Sequence, residues 1–194
     1  MSNRTLLASS SRILGVVLAL QLSACASDIE AEPAPPCDQL CQDSNALRAV
    51  REGMKLIYNL TLQGNPVGPQ MEFIPCPQGG LAGVAGEATS NAEQGATEVS
   101  LTYGFQDCAY LRRDEEPEEN HNLTLTGIIT QQGVIAVQPS VTTALLMSSE
   151  ALTLTGTVYD PPIPYSADAC ELSLSQSGDD LSGTICGRPA GVDL

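Results

Sequence analysis

The chain has 194 residues, with 23 acidic side chains against 8 Lys and Arg and a single histidine, for a formal net charge of −15. That balance excludes nucleic-acid binding, which depends on Lys and Arg neutralising phosphates. It equally disfavours docking on anionic lipid, whereas a cationic protein partner would be steered toward such a surface.

Met1 to Arg12 is polar and carries two arginines, and Ile13 to Leu22 is apolar except for Gly15 and Gln21. A basic start, a short apolar core and small residues after it make an export signal. The run is too short to span a bilayer, which takes about 20 apolar residues. Its end, "LSAC" from Leu22 to Cys25, resembles the lipobox of bacterial lipoprotein precursors. The resemblance covers residues 1–25 and implies cleavage before Cys25, with acyl chains on that cysteine as a membrane anchor. Ala26, where the family commonly has an aspartate for inner-membrane retention, implies an outer-membrane destination. The competing reading is ordinary signal cleavage after Ala26, since Ala24 and Ala26 also fit an A-x-A site.

Residues 26–36, "ASDIEAEPAPP", combine prolines and acids that cannot form a packed core and read as a tether. The expected organisation is a signal peptide over 1–24, a lipidated cysteine and tether over 25–36, and one domain over 37–194. Removal of the signal takes Arg4 and Arg12, leaving 6 basic against 23 acidic side chains, a balance of −17.

With Cys25 assigned to lipid, six cysteines remain, and an even count in an exported chain implies three disulfides. No C-x-x-C pair and no second histidine support zinc, and no cofactor is implied. In an antiparallel hairpin, residues equidistant from the turn face each other. The midpoint of Cys170 and Cys186 falls at the turn-like Gly178-Asp179, and that of Cys76 and Cys108 falls in the polar "TSNAEQG". These two pairs are expected, leaving Cys37 with Cys41.

One helix is legible, "SNALRAVREG", with Leu47, Val50 and Met54 on one face, Asp43 or Ser44 as cap and Gly53 as its end. The alternation Met54, Leu56, Tyr58, Leu60, Leu62 predicts a first strand. Seven more follow at 81–88, 98–106, 122–130, 134–138, 150–159, 169–175 and 181–186. A phrase recurs among them, "NLTLQG" at 59–64, "NLTLTG" at 122–127 and "ALTLTG" at 151–156, alternating apolar residues with Thr as a strand with one buried face does. The expectation is a mainly β domain: a single antiparallel sandwich or barrel of about eight strands with one short N-terminal helix, stapled by disulfides.

No catalytic motif is found. His121 sits in "RRDEEPEENHN" and reads as a solvated loop histidine, and Asp114 to Glu119 as a solvated tip dispensable for folding, since consecutive carboxylates repel rather than converge on Ca²⁺. "GGLAGVAG" lacks phosphate-loop spacing and reads as a flexible or bulged strand. Tyr159 and Tyr165 flank "DPPIP" and read as packing against it. The expected function is a non-enzymatic envelope lipoprotein with a binding or structural role. Two alternatives are an inhibitor of a basic enzyme, as acidic cystine-containing lysozyme inhibitors are, and a hydrolase using two carboxylates.

Overall fold

The computed structural model describes residues 37–62, 72–91 and 93–194, so Cys25 and the tether lie outside the described residues. It contains a helix, α1 (Gln39–Thr61), and eight strands: β1 (Glu72–Pro75), β2 (Leu81–Asn91), β3 (Ala96–Arg112), β4 (His121–Ala136), β5 (Ala144–Val158), β6 (Ile163–Ser177), β7 (Asp180–Ile185) and β8 (Arg188–Asp193). The strands form one antiparallel sheet in sequence order. The domain is therefore mainly β with one N-terminal helix, as expected, but the layers are a single open sheet and a helix rather than a sandwich or a closed barrel. β1 and β8 form its edges. Both are short and carry a proline, Pro75 and Pro189, features that blunt an edge against further pairing.

Helix α1 is longer than its sequence suggests. It starts at Asp38, whose side chain accepts the Cys41 N–H at 2.9 Å, and it runs through Gly53 to Thr61. The expected stop at Gly53 and the expected strand from Met54 to Leu62 are both overturned. The apolar stripe simply continues, since Leu47, Val50, Met54 and Ile57 recur at helical spacing and all are fully buried. A strand over 54–62 would have buried Leu60 with Met54, yet Leu60 is exposed. Gly53 costs a helix interior about 1 kcal/mol relative to Ala. Its missing side chain is occupied by the Tyr110 ring, which lies 3.2 Å from where a Cβ would stand.

From Cys41 to Met54 no side chain of α1 is exposed, so the sheet contacts the helix on more than one side. The strands supply an inward face to match: Leu101, Tyr103, Leu123, Leu125, Met147, Leu152, Leu154, Leu172 and Leu174 are all buried in one cluster with the helix stripe. Each such side chain, fully buried, contributes about 1.5–3 kcal/mol.

Bulges let the long strands bend. The register of β3 on β4 shifts between Phe105 and Cys108, and β5 and β6 shift around Leu152. At each bulge the alternation of buried residues changes parity, from Phe105 to Cys108 and from Ala167 to Leu172. Asp107 and Ala169 adopt positive φ there, and each bulge is tied across to a threonine of the neighbouring strand. The Thr126 hydroxyl donates to Asp107 at 3.0 Å, and the Ala169 N–H donates to the Thr153 hydroxyl at 3.1 Å.

The two bulge threonines belong to the recurring phrases, which face one another in register: Leu123 opposite Gly156, Leu125 opposite Leu154, Gly127 opposite Leu152. The sequence repeat is thus a reciprocal pair at the centre of the sheet. Its third copy is different, because Asn59 to Leu62 closes the helix. The segment 134–138 likewise forms no separate strand, Val134 to Ala136 being the end of β4.

Three disulfides join Cys37 to Cys41, Cys76 to Cys108 and Cys170 to Cys186, with Cα separations of 5.2, 5.4 and 4.8 Å. The last lies across the β6–β7 hairpin, which turns at Gly178-Asp179. Cys76 instead sits in the turn after β1, so its bridge fastens that turn to β3. Cys37 and Cys41 clasp the start of α1.

Gly156 has φ of +143°, and a Cβ there would stand 2.0 Å from the Asn122 carbonyl oxygen. Gly178, at φ +63° in an open turn, would meet only the Thr142 methyl at 3.7 Å. Gly156→Ala should therefore destabilise the fold by about 2–4 kcal/mol, and Gly178→Ala by about 1–2 kcal/mol. Denaturant midpoints of the two variants check the order.

Candidate functional site

Few cations are available in this domain, and their placement is the main clue. Six Lys and Arg lie beyond residue 37: Arg48, Arg51, Lys55, Arg112, Arg113 and Arg188. Three of them fall on α1 at i, i+3 and i+7, a polar stripe next to the apolar one, and Arg112 ends β3 beside them.

At the start of the helix the pairing is structural. Asp43 is fully buried and accepts both Nε and Nη2 of Arg188, at 2.7 and 2.8 Å, together with the Tyr165 hydroxyl at 2.8 Å and the Gln39 amide at 3.1 Å. Burial alone would raise the Asp43 carboxyl, but Arg188, Tyr165 and Gln39 outweigh it and hold it below the usual range. The fork joins α1 to β6 and β8. Tyr165 thereby serves the core, rather than packing only against the proline loop.

Two helical turns on, the charges form a network. Glu119, at the end of a 3₁₀ turn (Pro117–Glu119), accepts Arg48 Nη1 with one oxygen and Arg112 Nη2 with the other. Arg112 also donates to Glu52 of the helix and to Asp114 at 3.1 Å. Arg48 Nη2 reaches the Asp193 carbonyl at 3.0 Å. The Asn120 side chain closes the loop by donating to the Glu116 carbonyl at 2.8 Å and accepting the Asp114 N–H at 2.9 Å. The acidic loop is therefore not a mere solvated tip, because its last carboxylate joins β3 to the helix.

His121 is also reassigned. As the first residue of β4 it pairs in register with Arg112 and is only 4% exposed, so it is not a loop histidine. Its alternation with Leu123 and Leu125 was the available signal, masked by the acids before it. The imidazole Nε2 lies 3.8 Å from Glu52, whose other oxygen is taken by Arg112, and Nδ1 has no hydrogen-bond partner. Burial, then Arg112 and Arg48, push the ring down to about 4, against the pull of the Glu119 carbonyl. His121 is neutral at pH 7.

Two adjoining clefts open on this network and share Glu52 and Arg112. One, of about 290 Å³, is lined by Arg48, Arg51, Lys55, Glu119, Gln176 and Asp179 among others. The other, of about 420 Å³, is lined by Gly53, Leu56, Tyr110, Arg113 and His121 among others. A separate groove of about 710 Å³ lies over β4–β6, with Ile128, Ser148, Glu150 and Glu171 in its walls. Among the described residues no three His, Cys, Asp or Glu side chains converge as a metal site. The six described cysteines are all in bridges.

Sequence reasoning missed the helix stripe, although the 48, 51, 55 spacing was there to read once the helix was taken past Gly53. Comparison with protein families, curated proteins and solved structures finds no match for this chain.

Two outcomes follow from this network. The His121 pKa lies below the value of about 6.5 for a free imidazole, so between the two values the unfolded chain binds more protons. The resulting stability is fully present above pH 6.5 and is lost as pH falls toward 4, by about 2–4 kcal/mol at 1.36 kcal/mol per unit. Unfolding at pH 7 and pH 5 should show a smaller loss for His121→Gln than for the parent chain. Second, Glu119→Gln should cost about 1–2 kcal/mol, its partners being partly solvated, whereas Glu116→Gln, exposed and outside the network, should stay within about 0.5 kcal/mol. Paired melting curves check the difference.

Proposed function

We propose that the chain is a non-enzymatic lipoprotein of the bacterial outer membrane, anchored through Cys25, whose β domain is a binding module. The observation that carries this reading is the distribution of unspent chemistry. The six described cysteines are in bridges, the one imidazole faces cations and a carboxylate already held by Arg112, and the cations left unpaired among the described residues line a concave wall rather than pair as nucleophile and base. Three disulfides fit an exported domain. The surplus of exposed carboxylates outside the clefts would steer a cationic partner, and an inhibitor of a basic enzyme is one form such a partnership takes.

The purified protein used as bait in envelope extract should retain a defined partner at about 0.15 M salt, and mass spectrometry of the protein itself should find an acylated Cys25. A mature chain starting at Ser27 without lipid would overturn the anchoring, and an empty bait with no slowing of a basic lysozyme would overturn the binding reading. A hydrolase is favoured by one observation, that Glu150 and Glu171 line the same groove. Turnover on a panel of glycosides, abolished by Glu150→Gln or Glu171→Gln, would establish that reading instead.

A further inference from the structure

We infer that the cleft lined by Arg51 and Lys55 is a binding site for a small phosphate-bearing anion. The inference deepens the binding-module reading by naming a ligand class, and it rests on how the cations are spent. Arg188 is held by Asp43, Arg48 by Glu119, and Arg112 by Glu52, Asp114 and Glu119. Arg51 and Lys55 have no carboxylate within ion-pair distance among the described residues, in a domain where 20 acidic side chains face 6 basic ones.

Arg51 is a half-buried guanidinium, not a solvated surface charge. Its Nε donates to the Gln176 side-chain oxygen at 2.6 Å, and buried Gln176 is itself fixed by donating to the Gly178 carbonyl at 2.7 Å. That contact orients the guanidinium and leaves its terminal N–H groups without an acceptor among the described residues. Beside it Arg48, only 9% exposed, lines the same cleft with a guanidinium held by Glu119 and the Asp193 carbonyl, and its Nε, shielded from solvent, has no hydrogen-bond partner. Guanidinium donors that meet no protein acceptor favour an anion that supplies one. Lys55 stands one helical turn beyond Arg51 on the same face, at the exposed rim.

Two unspent positive charges i and i+4 on one helix, with the terminal donors of the Arg51 guanidinium, fit the charge and the several acceptor oxygens of a phosphate monoester group. A single carboxylate would leave one charge unmatched. Asp179, the acidic side chain of the wall that no arginine holds, is exposed and sets a penalty on anions that approach from its side. The negative field of the rest of the domain does not forbid binding at physiological salt. The screening length is then about 8 Å, so distant acids are damped while contacts in the cleft are not.

The test uses the purified full chain at about 0.15 M ionic strength, with inorganic phosphate as probe and chloride at matched ionic strength as control. Phosphate should raise the melting temperature saturably where chloride does not, and ³¹P line broadening should titrate with it. Lys55→Gln, a rim change that leaves the fold intact, should weaken binding at least about 5-fold, and Arg51→Gln at least about 10-fold with partial rescue by Arg51→Lys. Arg113→Gln, outside this cleft, should bind as the parent does. No phosphate effect beyond chloride, or equal binding by the Lys55 and Arg51 variants, overturns the inference. So does sedimentation with phosphatidic acid vesicles in the absence of phosphate binding, which would place the charges at a lipid surface. A partner captured from envelope extract alongside a null phosphate titration overturns the ligand class and leaves the binding-module reading standing.

Discussion

A single open sheet has one apolar face and no second sheet to cover it. Every other feature of this domain answers that constraint. The cover is α1, whose stripe of Leu47, Val50, Met54 and Ile57 is fully buried. A helix offers too narrow a stripe to cover eight flat strands, so the strands bend toward it. Bulges at Asp107 and Ala169, and glycines such as Gly156 that admit a carbonyl where a Cβ would stand, are the devices of that bending.

Covering a sheet with a helix leaves the polar flanks of the helix inside the molecule, where each charge needs a partner. Asp43 with Arg188, and Arg48 and Arg112 with Glu119, supply them and at the same time fix the helix to β8, β6 and the loop before β4. The clefts arise where this matching stops. Beyond Arg48 the helix presents Arg51 and Lys55, which no carboxylate among the described residues holds, and His121, held neutral by burial and cationic neighbours, lines the adjoining cleft. The same packing thus produces both the stability of the domain and the site by which it is proposed to bind.

What was legible in the chain was whatever depended on local pattern. Alternation in the phrases at 122–127 and 151–156 marked β4 and β5, and the symmetry of Cys170 and Cys186 about Gly178-Asp179 placed a hairpin, because strand period and turn chemistry are short-range properties. The errors came where tertiary contact overrode local preference. Gly53 reads as a stop until Tyr110 is seen lying against it. Met54 to Leu62 satisfies both a strand and a helix period over so short a run, and only the burial of Ile57 with exposure of Leu60 decides between them. His121 took the character of its acidic neighbours, although its own place was the first inward position of β4. Edge strand β1 has four residues, too few to show a period, and β8 offers only Ala190 and Val192 as an apolar alternation, so the strand count of eight was reached with two members exchanged.

The central claim is that α1 is the second layer of the fold and not an appendage to an independent β domain. Native-state hydrogen exchange tests it directly. The amides from Leu47 to Ile57 should exchange with the same opening free energy and denaturant dependence as the central amides of β4 and β5, as parts of one cooperative unit do. If those helix amides exchange through a separate, smaller opening while β4 and β5 stay protected, the sheet stands without its helix and the account is wrong.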